Sequence, residues 1–167
     1  MILSEEKMKY RFFISGLIGG IMSVNAAIAQ IKIVDGDSLE IAGERIRVDG
    51  IDAPEFLQVC QDAAGNDYSC GQEALRYMEK LIDNQEVHCN CEPQKDRYGR
   101  KLCECFVGKL CLNREMVRAG WAIPYRDNDK YQKELLTAQQ HKRGIWQGKN
   151  MRPAIYRVLS RQNGKSK

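Results

Sequence analysis

Residues 31–51 read IKIVDGDSLEIAGERIRVDGI, with apolar side chains at near-alternate positions. Successive side chains of a strand point to opposite faces, so this alternation predicts strands. Asp-Gly and Ala-Gly-Glu mark tight turns between three of them. The next stretch, DAPEF, breaks the pattern because Pro54 has no N–H to give to a ladder. Residues 56–70 are expected to be loop. Ala74, Leu75, Met78, Leu81 and Ile82 recur at helical spacing and predict a helix over 71–82. EVHCNC and KLCECFV supply two more strands, joined by the turn EPQKDRYGR. A second helix is expected over 112–119, with Gly120 as its stop. A third, capped by Asp127 or Asn128, would turn Tyr131, Leu135 and Ala138 inward and end at Gly144. Five strands and three helices predict an α+β, mainly β domain: a five-stranded OB-type barrel carrying three α-helices.

The N-terminal pattern differs. Lys7, Lys9 and Arg11 precede FFISGLIGGIMSV, an apolar run too short to span a bilayer comfortably. NAAIAQ follows, with Ala27 and Ala29 at small-residue positions. Residues 1–29 are therefore expected to be an export signal cut after Ala29, with Met8 as an alternative start; an uncleaved anchor or a buried helix is the other reading. No second apolar run of spanning length follows. The expected organisation is a signal (1–29), one globular domain (30–147) and a basic tail (148–167). The product would be secreted or periplasmic, monomeric, and without stable membrane association after cleavage. From residue 135 onward the chain has no Asp or Glu, and the tail reads as a solvated end or as a surface facing nucleic acid.

An exported chain makes its seven cysteines disulfide candidates, and the odd number leaves at least one over. Cys60 and Cys70 bracket a polar loop. CNC and CEC flank the turn near Arg97. A symmetric hairpin opposes Cys89 to Cys105 and Cys91 to Cys103; a two-residue slip opposes Cys91 to Cys105 instead. A four-thiolate zinc site is the rival reading. The net charge of +4 fits an anionic partner without demanding one.

The stretch with most chemistry is VDGDSLEIAGERIRVDGIDAPE. Asp37 begins one predicted strand and Asp52 ends another, so their carboxylates can converge and offer a hard cation the oxygen ligands it requires. With His88 and His141 as the only histidines, a His-rich transition-metal site is disfavoured. The bland alternatives are a common Asp-Gly-Asp hairpin turn and a strand-terminating DAPE. Arg47 changes the balance: an arginine on the inner face of a barrel strand needs an anion, either one of these aspartates or a bound phosphate. DRYGR supplies a second candidate phosphate clamp in Arg100 and a stacking or hydrogen-bonding surface in Tyr98.

Taken together, VDGDS, RVDGIDAPE, DRYGR, LNREMVRAGWA and RGIW, in this order and spacing over residues 31–147, resemble the staphylococcal (micrococcal) nuclease family. The resemblance implies an OB-type barrel with three helices and Ca²⁺-dependent, endonucleolytic hydrolysis of DNA and RNA, leaving 3′-phosphate ends. It implies Asp37, Asp52 and the Ala53 carbonyl as Ca²⁺ ligands, with Asp35 behind them. Arg47, Glu55 and Arg100 match the catalytic positions. Arg97 and Tyr98 match phosphate contacts, Tyr125 falls near a further one, and Asn113 matches a position of structural character. Ser38 stands where threonine is commoner, Arg97 where the best-known member has lysine, and the cysteines are foreign to that member. Two rivals from other classes are a non-catalytic OB-type nucleic-acid-binding module and a cysteine-centred zinc or redox protein.

Overall fold

The computed structural model describes residues 30–127, 129–162 and 164. The expected signal cleavage site and Asn128 lie outside the described residues. Strands β1 (Ile31–Asp35), β2 (Ser38–Ile41) and β3 (Glu44–Val48) form the antiparallel meander that the alternation predicts. The short strand β4 (Ile51–Asp52) follows. The 56–70 loop contains a two-residue ladder, β5 (Cys60–Gln61) and β6 (Asp67–Tyr68). Helix α1 (Cys70–Ile82) comes next, and then the long hairpin of β7 (Val87–Lys95) and β8 (Lys101–Val107). β9 (Leu110–Cys111), α2 (Leu112–Arg118), β10 (Ile123–Pro124), α3 (Gln132–Gln140) and α4 (Pro153–Gln162) complete the chain.

The main sheet is mixed, with order β1-β2-β3-β8-β7 and β9 beside β8. The five longest strands are the five expected, but they do not close a barrel: among the described residues no ladder joins β1 to β7. Among the described residues the α-helices number four, because residues 153–162 of the basic tail are helical. Pro153 at its first position loses no hydrogen bond, since the first N–H groups of a helix have no partner within it. Boundaries also move. β7 runs on to Lys95, so the turn shortens to residues 96–100. α3 begins at Gln132, after a 3-10 turn over Asp129–Tyr131, makes no side-chain cap bond, and ends at Gln140 rather than at Gly144, which opens a separate 3-10 turn. Among the described residues no helix is long and apolar enough to cross a membrane.

The core lies between the sheet and the helices. Leu39, Ile46, Val48 and Ile51 meet Ala74, Met78 and Ile82 of α1 and Leu112, Met116 and Val117 of α2. Tyr131 and Ala138 are buried as expected, and Leu135 packs against this core. Within it, Asn113 is fully buried and pins three main-chain groups. Its Oδ1 accepts from Cys105 N at 2.9 Å, and its Nδ2 donates to Asp49 O at 2.8 Å and Cys103 O at 3.2 Å. The amide thus ties α2 to β8 and to the β3–β4 turn.

The hairpin takes the symmetric register, with Cys89 opposite Cys105 and Cys91 opposite Cys103. Both pairs are disulfides, and Cys60–Cys70 is a third. The slipped pairing and the zinc site are thereby excluded, since six of the seven sulfurs are bonded to one another and among the described residues no cluster of metal-binding side chains exists. Cys111 is the remaining thiol; burial raises its pKa above the ordinary value, leaving it protonated. Three disulfides fit an oxidising compartment.

Titration with an aromatic disulfide reagent should find one thiol per chain in denaturant and seven after reduction; zinc release or extra thiols without reductant would contradict the pairing. Asn113→Leu leaves Cys105 N and Asp49 O without their partner and should cost about 3 kcal/mol, read from the urea midpoint at unchanged slope.

Candidate active site

The site grows from the turn between β1 and β2. Asp35 Oδ1 accepts from Asp37 N at 3.0 Å, which orients Asp37 inward. Gly36 lies between them because nothing larger fits: a Cβ there would stand 2.8 Å from Ala53 Cβ and 3.0 Å from Ala74 Cβ. This close approach brings Asp37 to the DAPE bend, where its Oδ2 accepts from Ala53 N at 2.7 Å. Asp37 and Asp52 are 6% and 2% exposed, so both carboxylates need compensation within the protein.

Arg47 supplies much of it. Ladder register puts it opposite Ser38 on β2 and Leu102 on β8. Its guanidinium pairs with the Asp37 carboxylate and, through Nη2, with Asp52 Oδ1 at 3.2 Å; Nη2 also donates to Ile51 O at 2.8 Å. Burial lowers the Arg47 pKa from its ordinary value; Asp52 acts against that, and Arg100 adds repulsion. The group remains cationic, as arginine does at any working pH.

Arg100 arrives from the other side, one residue before β8. Asp96 shapes its turn: Oδ1 accepts from Tyr98 N and Arg100 N, both at 2.9 Å, while Oδ2 accepts from Arg100 Nε at 2.8 Å. The free end of the fork then donates from Nη1 to Ser38 Oγ at 3.2 Å, and Ser38 Oγ donates to Asp37 Oδ1 at the same distance. Two guanidiniums from separate elements therefore meet at Asp37-Ser38.

Glu55 is fixed by its backbone. Its N–H donates to Gln58 Oε1 at 3.3 Å, and its carbonyl accepts from Gln58 N at 2.7 Å. The start of α1 presses on the same segment: a Cβ on Gly71 would overlap Glu55 O at 1.8 Å, so only glycine fits. The Cys60–Cys70 disulfide fastens the loop to the helix beside it. Arg97 and Tyr98 stand at the tip of the hairpin, with Arg97 4.8 Å over the Tyr98 ring and Tyr98 half-exposed. Tyr125 follows β10, whose Ile123 pairs with Asp52; its own N–H donates to Gly50 O at 2.9 Å, at the far end of that ladder.

One residue at the site has no precedent in the sequence reading. Arg157, from the basic tail, projects from α4 onto the same carboxylates. Its Nη1 lies 2.7 Å from Glu55 Oε1 and 3.0 Å from Asp52 Oδ1, and its Nη2 lies 3.0 Å from Asp52 Oδ2. Burial works against its charge, but hydrogen bonds to Asp52 and Glu55 outweigh it and raise its pKa above the ordinary arginine value. The sequence reading took residues 148–167 as a basic tail; Pro153 and the spacing of Ile155, Val158 and Leu159 are the signals that could have found the helix, and none marks its docking partner.

Comparison with known proteins places this geometry. A model of the family described as staphylococcal nuclease homologues matches residues 45–148. The chain belongs to that family. Similar proteins include a succinoglycan biosynthesis protein, ExoI, of Rhizobium meliloti, 37% identical over 136 residues, covering 78% of this chain and 70% of the relative. A thermonuclease of Staphylococcus hyicus is 32% identical over 127 residues, covering 70% and 73%. An uncharacterized endonuclease of Haemophilus influenzae is 29% identical over 142 residues, covering 80% and 74%. The family match ends before α4, so Arg157 is an element outside it.

A pH dependence follows from Asp96. Burial raises its pKa, but the bonds from Arg100 and Tyr98 outweigh this and bring it below the ordinary 3.8. A depressed carboxyl stabilises above its unfolded pKa and loses that contribution as pH falls through the folded value. The Tyr98 and Arg100 amides should therefore be protected above about pH 4 and lose protection below it. Asp96→Asn should remove that acid transition, as measured by hydrogen exchange.

Proposed function

We propose that the chain is an exported, Ca²⁺-dependent nuclease that cleaves phosphodiester bonds of DNA, RNA or both, endonucleolytically, leaving 3′-phosphate ends. The observation that carries this reading is the meeting of Arg47 and Arg100 at Asp37-Ser38, beside Asp52 and within a family that includes thermonucleases. Guanidinium forks match phosphate oxygens, and a cleft that holds two of them beside paired carboxylates can take an anion and a cation together.

The donor set suits a hard cation. Asp37, Asp52 and the Ala53 carbonyl offer oxygen only, and a positive group, the Arg157 guanidinium, is already accommodated against Asp52 and Glu55. Among the described residues no cluster of three or more acidic, histidine or cysteine side chains stands ready for a metal. Two carboxylates and a carbonyl fall short of the six to eight oxygens of a full Ca²⁺ shell, so water and the substrate phosphate must complete it. Bound there, Ca²⁺ would withdraw charge from a non-bridging phosphate oxygen. Asp35 supports Asp37 without joining the shell.

The protein's own groups do the rest. Glu55 positions the attacking water and accepts its proton. Arg47 and Arg100 donate to the phosphate oxygens and stabilise the extra negative charge of the five-coordinate state, with Arg100 toward the departing 5′-oxygen. Arg97, Tyr98 and Tyr125 contact neighbouring nucleotides by charge, stacking and hydrogen bonding. Residues 1–29 act as the export signal, in keeping with the three disulfides.

Arg100→Ala and Glu55→Ala should each lower turnover by about a hundredfold or more with unchanged circular dichroism; near wild-type rates would remove them from the chemistry. Plasmid DNA and RNA digestion should stop in EGTA and resume with Ca²⁺. Cleavage that persists in chelator would exclude the cation. Nucleic-acid binding without digestion would favour a binding module, and absence of both would favour a role of the kind in the Rhizobium relative's name, succinoglycan biosynthesis.

A further inference from the structure

We propose that Arg157 is the resident counter-cation of the Asp52–Glu55 pair, that it and a divalent cation exclude one another there, and that α4 undocks when the cation binds. The inference rests on the Ca²⁺ reading above. Its basis is the geometry of one side chain and the weak seat of the helix that carries it.

The Arg157 fork lies across both Asp52 oxygens and also reaches Glu55. Arg47 holds Asp52 Oδ1 from the other side. A dication on Asp52 would therefore share one carboxylate with two guanidiniums, and like charges at contact distance repel.

α4 is built to leave. Of its apolar side chains only Pro153 is buried, whereas Ile155, Val158 and Leu159 are 49%, 52% and 40% exposed. The helix is thus held mainly by polar contacts: Arg157 on the carboxylates and Tyr156 Oη donating to Leu57 O at 3.0 Å. Its approach is firmer, since the buried Gln58 donates from Nε2 to Met151 O at 2.7 Å and Gln61 N donates to Lys149 O at 2.8 Å. This leaves residues 148–151 as the pivot. One turn beyond Arg157, Arg161 lies close enough to Tyr98 to lower its hydroxyl pKa, after Arg97, which lowers it most. The helix so reaches from Glu55 toward the DRYGR hairpin.

Calorimetric titration of the mature chain with CaCl₂ tests this. Arg157→Gln should bind Ca²⁺ about tenfold more tightly than wild type, a change typical of coupled sites. Arg157→Lys, which keeps the charge but loses the fork, should fall between them. Arg76→Gln, an equal charge change on the exposed face of α1, should match wild type. Hydrogen exchange over residues 153–162 should rise when Ca²⁺ is added to the wild type. Equal or weaker Ca²⁺ binding by Arg157→Gln, or α4 protection that ignores Ca²⁺, overturns the proposal. Asp52→Asn separates the two readings. If it alone abolishes Ca²⁺ binding while Arg157→Gln matches wild type, only the exclusion fails; if no variant binds Ca²⁺, the cation reading fails and the exclusion with it.

Discussion

Two carboxylates, Asp37 and Asp52, are buried where almost no solvent reaches them. Burying a charge without a partner is among the costliest things a fold can do. The surrounding architecture can be read as the set of elements that compensate these two groups. The β1–β2 turn aims Asp37, the β3 strand brings Arg47 across from it, and the β7–β8 hairpin delivers Arg100. Because β3 and β8 pair in parallel, Arg47 and the residues after Arg100 share one register, so the two cations are positioned by the same ladder.

The residues that hold these elements in place surround the charged cluster. Asn113 ties α2 to the β3–β4 turn and to β8, which follow Arg47 and Arg100 in the chain. Gly36 and Gly71 let backbone and helix approach at distances no side chain would allow, setting Asp37 against Ala53 and α1 against Glu55. The Cys60–Cys70 disulfide closes the Glu55 loop onto α1, while Cys89–Cys105 and Cys91–Cys103 stiffen the hairpin behind Arg100. Pre-organised charge requires such support, since a guanidinium free to relax would lose the advantage of being in place.

The C-terminal helix belongs to a different layer of the design. It lies beyond the family match, buries little apolar surface and reaches the carboxylates with one long side chain. The sheet and its turns carry Asp37, Arg47 and Arg100, whereas α4 reaches Asp52 and Glu55 through Arg157 alone.

Much of this was legible in the chain. Period-two alternation marks β1, β2, β3, β7 and β8, the CNC and CEC spacing narrows the hairpin to a symmetric or a slipped register, and period-3.6 spacing marks α1 and the stripe of α3. Local periodicity determines these because they depend on neighbours a few residues away. The Asp, Arg and Glu positions of the candidate site were also legible, as short motifs in a family's order. What the sequence could not determine is where distant pieces meet. The open rather than closed sheet depends on whether β1 and β7 come within bonding distance. The partner of Arg157 lies about a hundred positions earlier in the chain, at Glu55 and Asp52. No local pattern encodes such a pairing, because a solvated arginine and one folded onto a buried carboxylate look alike until the tertiary structure brings the charges together.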